Sequence, residues 1–272
     1  MFLIVNLPEE QFFIDLIFRL LAGIVLLALL IILSAWQQLK MEKIFLKNFT
    51  RGFIQLLLMA VFLYFIFDID NPILIYLVLI GMCTFAAHST SQNYEFPNLF
   101  KITWLSITIG SLFIMSLVVI LQIIPPSSAT VIPMGGMVIF NAMNITMIAM
   151  ERVYSDIKQN QNTIIAALSL GDSPEHAISE IRKNANRAGI LPNSNRVAVL
   201  GIVSIPGLMS GLIIAGENPM SAAVYQIIIF AMIIGAGMIS EIIAQKLYIS
   251  QYFNKHDQLN IQILLKGGFV KK

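Results

Sequence analysis

Long uninterrupted stretches of apolar residues decide what this chain can fold into. An α-helix needs about 20 apolar residues to cross the ~30 Å hydrocarbon core of a bilayer, because every backbone polar group must find its partner within the segment. Only 12% of the 272 residues are charged, against roughly 25% in a typical soluble domain. The sequence therefore predicts an all-α integral membrane protein with about seven transmembrane helices. The predicted spans run from Leu16 to Trp36, Phe53 to Phe67, Pro72 to Ala87, Ile102 to Ile124, Val131 to Met150, Val197 to Ala215 and Ala222 to Ala244.

The second and third of these stretches are short, and a polar turn joins them. One re-entrant hairpin is therefore an alternative to two full spans. The distribution of charge favours two spans, because with two spans nearly all basic residues fall on one side of the membrane.

Charge also orients the chain. If the N-terminus is outside, every Lys and Arg except Arg19 falls in an inner segment. The positive-inside rule then predicts an N-out, C-in topology in a multi-pass protein of the cell membrane. On this topology residues 1–272 form a single transmembrane domain, with a cytoplasmic loop at 151–196 and a cytoplasmic tail at 245–272. The first stretch is retained as a span, since its apolar region is too long for a signal peptide and no small-residue cleavage site follows it.

The fifth span carries polar side chains at membrane depth. At 100° per residue, Met137, Asn141 and Asn144 share one side of the helix. Two amides in this position need partners. They form hydrogen bonds between helices worth about 0.6–2 kcal/mol each, or they line a substrate path; the sequence leaves both interpretations open.

The sixth span contains a proline and a stripe of small residues. Pro206 removes a backbone donor, which predicts a bend or break near the middle of the membrane. Gly207, Gly211 and Ala215 recur every four residues and predict a flat face on which another helix packs closely. A helix that bends suits the conformational change of a transporter.

Two polar residues lie in the seventh span. Gln226 is near its beginning and is a candidate for the substrate path. Glu241 lies ~22 Å further along the helix axis. We expect this carboxylate near the inner interface and solvated there, with a buried role in transport as the alternative.

The polar loop at 151–196 contains a sharply defined corner. An apolar helical run ends at Gly171, the residue type favoured just after a helix C-terminus. A new helix then begins with Ser173 as N-cap and Pro174 in the first position. This pattern predicts a stiff bracket, whereas the alternative is a solvated loop attracted to anionic headgroups. The residues of this corner are Ala166, Ala167, Leu170, Gly171, Ser173 and Pro174.

Three collinear motifs, found between residues 132 and 226, carry a family resemblance. They are Pro133-Met-Gly-Gly-Met137 with Asn141, Ala167-Leu-Ser-Leu-Gly171, and Pro206-Gly-Leu-Met-Ser-Gly211. Together they resemble the FetB-like (UPF0014) family of ABC transporter permeases, which includes a bacterial iron-export permease and plant relatives tied to aluminium tolerance.

The resemblance implies a permease subunit that dimerises and works with a separate ATP-binding cassette subunit, with the loop around Gly171 as the coupling element. The implied function is export of a metal ion (iron-like) or small solute. The candidate substrate path consists of Met137, Asn141, Asn144, Pro206, Gly207 and Gln226.

The residues themselves support this division of labour. The chain contains no G-x-x-x-x-G-K-[ST] segment that would cradle ATP phosphates, so ATP is expected to be used by the partner subunit and no cofactor by this chain. Its three histidines are scattered and no H-E-x-x-H occurs, so neither an enzyme nor a metal site is predicted, and no nucleic-acid partner is expected. A gradient-driven secondary transporter is the alternative function, although such transporters usually show paired internal repeats and none is found here.

Overall fold

The computed structural model describes residues 9–67, 71–93, 96–254, 256–261 and 264. Throughout these residues the secondary structure is helical, with isolated bridges but no strand, which confirms the predicted all-α class. Within this described part of the chain, six helices, α1 to α5 and α10, are long and apolar enough to cross a membrane. The helices are α1 (Glu9–Trp36), α2 (Glu42–Phe67), α3 (Pro72–Asn93), α4 (Leu99–Ile120), α5 (Ser128–Gln159), α6 (Gln161–Ser169), α7 (Pro174–Ala177), α8 (Ser179–Ala198), α9 (Gly207–Ile214) and α10 (Pro219–Ile249), followed by a 3₁₀ turn at Ser250–Tyr252.

The chain divides into two compact units, Met1–Ile69 and Asp70–Lys272. In the first unit, α1 and α2 contact one another and nearly all their described side chains are exposed, as expected for helices covered by lipid. Ser34 is an exception: it is buried, and its hydroxyl donates a 2.9 Å hydrogen bond to Glu42 across the turn between the helices.

Helices α2 and α3 are both longer than the apolar stretches that predicted them. Helix α2 begins at Glu42, whereas the predicted span begins at Phe53. The prediction began later because the first turns of the helix are polar. Each helix is therefore long enough for a full crossing, which removes the length argument for a re-entrant hairpin. The turn at 68–70 lies outside the described residues.

Helix α10 is the centre of the second unit and packs against α4, α5, α8 and α9. Glycines permit its closest contacts. A Cβ on Gly110 of α4 would lie 2.7 Å from the carbonyl oxygen of Ala236, and a Cβ on Gly237 would collide with Ile145 of α5. Gly110 thus lets the backbones of α4 and α10 approach closely, and Gly237 makes room for the side chain of Ile145. Both supply the van der Waals contact that holds helices together in lipid.

The predicted coupling loop packs onto the ends of α5 and α10. One hydrophobic cluster joins Ile164 of α6, Ile178 and Ile181 from the start of α8, and Tyr248 of α10. Tyr248 already belongs to the predicted tail, whose first residues continue α10. Tyr252, further along the tail, is also buried in this cluster, and its hydroxyl donates to that of Tyr248 at 2.8 Å. Residues 265–272 of the tail lie outside the described residues.

The sixth predicted span is not one helix, and that prediction was wrong. Helix α8 continues to Ala198, residues 199–206 form an irregular turn, and α9 has only eight residues. Two features break the helix: Gly201 adopts φ of +79°, and Pro206 has no N–H to donate. The break expected at Pro206 is therefore real, but it is a separation of two helices and not a bend within one.

The broken segment still runs along α10. Helix α8 contacts α10 at Glu241, whereas the backbone N–H of Met209 in α9 donates to Gln226 of α10 at 3.2 Å. Glu241 and Gln226 are 15 residues apart in α10, or ~22 Å along its axis. Helix α8, the irregular turn and the short helix α9 thus lie along about this length of α10.

Candidate functional site

The corner at Gly171 closes α6 with a complete Schellman motif. The amide of Gly171 donates to the carbonyl of Leu168, and the amide of Asp172 donates to that of Ala167, both at 3.1 Å. Gly171 itself has φ of +91°, a conformation that side chains with a Cβ rarely adopt. The sequence prediction of a helix end at this glycine is confirmed.

Side-chain caps fix the other half of the corner. The hydroxyl of Ser173 accepts the amide of His176 at 3.3 Å, and Pro174 occupies the first turn of α7, as predicted. Asp172 accepts the amide of Ser173 and lies 2.8 Å from Nδ1 of His176. The hydrogen bond from His176 lowers the pKa of Asp172 below its usual range, and the amide of Ser173 acts in the same direction.

The corner is both anchored and exposed. Ile164 on one side and Ile178 on the other are buried in the hydrophobic cluster. Between them, Leu170 is 88% exposed, and no atom of the described residues lies within 4 Å of where a Cβ on Gly171 would be. An exposed leucine on a backbone held by caps at both ends is suited to docking into another protein. The remaining predicted coupling residues, Ala166 and Ala167, lie at the exposed and half-buried surface of α6.

The polar face of α5 lies at the edge of the second unit. Met137, Asn141 and Asn144 are all half-buried, and the Nδ2 group of Asn141 donates to the carbonyl of Met137 at 2.8 Å. The fully buried face of the helix is a different one, which includes Val138 and Ala142. The observed bond of Asn141 is within its own helix, so it does not join α5 to a neighbour.

Gln226 caps a helix end. Its side chain is 5% exposed, and its carbonyl oxygen accepts the amide of Met209 in the first turn of α9. That turn has amides with no intrahelical acceptor, so an amide oxygen from α10 satisfies one of them. Pro206 is half-buried and Gly207 is exposed at the same end of α9.

The small-residue stripe of α9 faces away from the rest of the unit. Gly207, Gly211 and Ala215 are exposed, and no atom of the described residues lies within 4 Å of where a Cβ on either glycine would be. The predicted packing face therefore exists as a surface. Nothing in the described part of this chain covers it.

The burial of Glu241 differs from the prediction made from the sequence. Its position in the sequence predicts a solvated carboxylate, but it is 1% exposed in the contact of α10 with α5 and α8. Helix α10 continues to Ile249, so Glu241 lies well inside the helix, and the loop helix α8 covers it. A signal was available, because Gly189 interrupts the polar helix α8 at a position one turn from Asn186 and Asn193.

Comparison with known proteins identifies the chain's relatives. The model of the uncharacterised protein family UPF0014 matches residues 17–253. A UPF0014 membrane protein of Synechocystis is 36% identical over 86% of this chain and 92% of its own length. The protein ALUMINUM SENSITIVE 3 of Arabidopsis thaliana is 31% identical over 89% of each chain, and the probable iron export permease protein FetB of Escherichia coli is 29% identical over 90% of this chain and 95% of its own. No solved structure matches this chain.

Proposed function

This chain belongs to the UPF0014 family of multi-pass membrane proteins, and from that premise we propose that it is the membrane-spanning permease subunit of an ABC transporter. A separate ATP-binding subunit drives it, so ATP is used by the partner and not by this chain. The transported substrate is a metal ion, iron-like, or a small solute, and the direction is export, as the name of the Escherichia coli relative states for that protein.

The observation that carries this proposal is the corner at Gly171. Two Schellman hydrogen bonds and the Ser173 cap fix its backbone, while Leu170 projects from it with 88% of its surface exposed. An apolar side chain exposed on a fixed backbone can insert into a pocket of a partner at a low cost in conformational entropy. A partner that moves this corner also moves α8, because the hydrophobic cluster joins α6, α8 and the ends of α5 and α10.

The experiment is ATPase stimulation in a reconstituted complex. Leu170→Asp should abolish stimulation of the ATP-binding subunit while the chain still inserts and folds, because only an exposed contact is lost. Leu191→Asp is the matched control: Leu191 is 50% exposed on α8, outside the corner. Equal stimulation by both variants, or substrate movement that persists when ATP is depleted, would favour the gradient-driven transporter instead.

We further propose that a second copy of this chain covers the break in the sixth crossing. Ile202 and Val203, in the turn between α8 and α9, are 92% and 78% exposed. An irregular backbone at membrane depth is tolerated only where protein or a water-filled cavity covers it, since lipid satisfies no backbone hydrogen bond. The bare stripe of Gly207 and Gly211 continues the same surface and allows close helix contact.

Cysteine cross-linking tests this interface. In a Cys83→Ser background, which removes the single native cysteine, Gly211→Cys should form a disulfide-linked dimer in the membrane. Gly81→Cys, on the exposed face of α3, should not. Dimers that form from Gly81→Cys but not from Gly211→Cys would contradict the proposed interface.

We also propose a substrate path that includes the polar residues of α5 and the beginning of α9. Half-buried amides on α5 that lie at the edge of one copy become interior groups when a partner covers them. The residues proposed for the path are Met137, Asn141, Asn144, Pro206, Gly207 and Gln226. Gln226 acts there through α9, whose first turn it caps.

A further inference from the structure

Glu241 is a carboxyl group in a place where a carboxyl group is costly. It is 1% exposed, and neither of its oxygens has a hydrogen-bond partner among the described residues. It lies eight residues before Ile249, the last residue of α10, which is ~12 Å along the helix axis. An ionisable side chain inside a membrane span marks a functional site by default, because an apolar residue would pack there at no such cost.

The atoms around Glu241 contain more acceptors than donors. Asn186 lies one turn before Gly189 on α8, and its Oδ1 is buried without a partner; Gln245 lies one turn after Glu241, and its Nε2 is also without one among the described residues. Among the orphan atoms of these three side chains, three acceptor oxygens stand against one donor group, the Nε2 of Gln245. A surplus of oxygens attracts a cation, and carboxylate with amide oxygens is a ligand set that hard divalent ions prefer.

We propose that Glu241, with the side-chain amide oxygen of Asn186, is a binding site for a hard divalent cation, and that α8 is the lid that closes this site. The inference deepens the proposed function, since it rests on the chain being a permease and assigns the carboxylate that its cargo meets near the inner end of α10. The site has one carboxylate only; among the described residues no group of three His, Cys, Asp or Glu side chains comes together. One carboxylate with neutral oxygens suits an ion that must also leave.

Gly189 makes the lid fit. A Cβ at Gly189 would lie 2.5 Å from Oε2 of Glu241 and 2.8 Å from the carbonyl oxygen of Ile145 in α5. Only glycine lets α8 come this close to both helices. Movement of α8 away from α5 and α10 at Gly189 therefore uncovers the carboxylate.

The lid is continuous with the coupling corner. Helix α7 joins the corner to α8, and Ile178 and Ile181 hold the start of α8 in the hydrophobic cluster. A displacement of the corner by a bound partner is thus transmitted along α8 to Gly189. Opening and closing of the cation site follow the state of the partner.

Manganese binding to the purified chain in lipid nanodiscs tests the site. Mn²⁺ is the probe, its bound fraction is read by electron paramagnetic resonance, and all metal is first removed by chelation. Glu241→Gln keeps the shape of the side chain and removes its charge, so it should weaken Mn²⁺ binding at least ten-fold. Asn186→Leu should weaken it several-fold, and it provides a second reading if Glu241→Gln fails to fold.

A substitution at Gly189 that displaces α8 from α10 tests the role of α8 as a lid. Gly189→Ala should push α8 off the site and raise the rate of Mn²⁺ binding, and the gain should vanish in the double variant with Glu241→Gln. Gly81→Ala on α3 is the matched control, because no described atom lies within 4 Å of the place that its added methyl group would occupy. The proposal would be overturned if Glu241→Gln changed Mn²⁺ affinity by less than two-fold both in the parent chain and in Gly189→Ala. Absence of Mn²⁺ binding in every variant would overturn it as well.

These experiments distinguish failure of the proposed cation site from failure of the proposed permease function. Manganese binding is measured on this chain alone, so it does not depend on an ATP-binding partner. If Glu241 binds no cation but ATP-driven transport persists in Glu241→Gln, the site is wrong and the permease stands. If Mn²⁺ binds through Glu241 but transport never requires ATP, the ABC assignment is wrong and the site stands.

Discussion

The left-handed backbone at Gly171 leads to a sharp prediction about side-chain type. Placing a Cβ in this conformation costs about 1–2 kcal/mol, because Cβ approaches the following carbonyl oxygen. Apart from Gly171 and its two chain neighbours, no described atom is within 4 Å of that Cβ, so the cost at Gly171, with φ of +91°, comes from the local backbone and not from a clash with another part of the chain. Gly171→Ala should therefore loosen the corner by about 1–2 kcal/mol, a factor of roughly 5–30 in its local opening equilibrium.

Asparagine separates backbone strain from crowding. Asn is larger than Ala but tolerates the left-handed region better, whereas a β-branched residue tolerates it worst. The expected order of corner stability is glycine, then Gly171→Asn, then Gly171→Ala, then Gly171→Val. If crowding were the cause, Gly171→Ala would instead be the mildest substitution.

Hydrogen–deuterium exchange provides the assay. The amides of residue 171 and Asp172 are the donors of the two Schellman bonds, so peptides covering 168–173 report their opening directly. Gly52→Ala on α2 is the control, since that glycine is helical and no described atom crowds its Cβ position. Equal exchange in Gly171→Asn and Gly171→Ala, or exchange unchanged from the parent chain, would refute the reasoning.

Three further predictions address other contacts. His176→Ala removes the donor that lowers the pKa of Asp172, so a carboxyl-carbon NMR titration should find that pKa closer to its usual 3.8. Because the pKa of Asp172 is lowered in the folded chain, the pair stabilises the fold fully above pH 3.8. This stabilisation is lost as the pH falls through the lowered pKa of Asp172. Gly110→Ala should destabilise the α4–α10 contact by about 1–3 kcal/mol in denaturant titrations, since its methyl would press on a backbone carbonyl, while Gly81→Ala should be neutral or slightly stabilising. Asn141→Leu should reduce transport and leave the melting temperature nearly unchanged, because its observed bond is within its own helix; a collapse in melting temperature would assign it to packing.

The corner could be predicted because its determinants are local. A glycine after an apolar helical run, then Ser-Pro, specify a Schellman end and an N-cap through contacts only three to five residues apart. The helical class follows equally from local hydropathy. Neither required knowledge of which helices pack together.

The sixth crossing could not be predicted from hydropathy. Residues 197–215 are apolar enough for a span, but hydropathy carries no information about backbone dihedral angles. Gly201, with its positive φ, ends the helical path well before Pro206. The Gln226 cap on α9 is a long-range contact that helix periodicity does not reveal.

The burial of Glu241 was missed for a related reason. Its position near the end of an apolar run suggests solvent, and on an isolated helix that would hold. The packing of α8 at Gly189 excludes the solvent, and this contact joins residues 52 positions apart in the sequence. Covering one helix end with a distant loop is a tertiary effect that periodicity in α10 does not encode.

Solvent access at Leu170 tests the central claim, that an ATP-binding subunit grips an inward-facing corner. Leu170→Cys, in a Cys83→Ser background, is exposed to a membrane-impermeant maleimide in inside-out vesicles with and without that subunit. The 88% exposure of Leu170 predicts rapid labelling in the chain alone and at least ten-fold protection when the subunit is bound. Labelling that the subunit leaves unchanged, or that occurs from outside intact cells, would contradict the account.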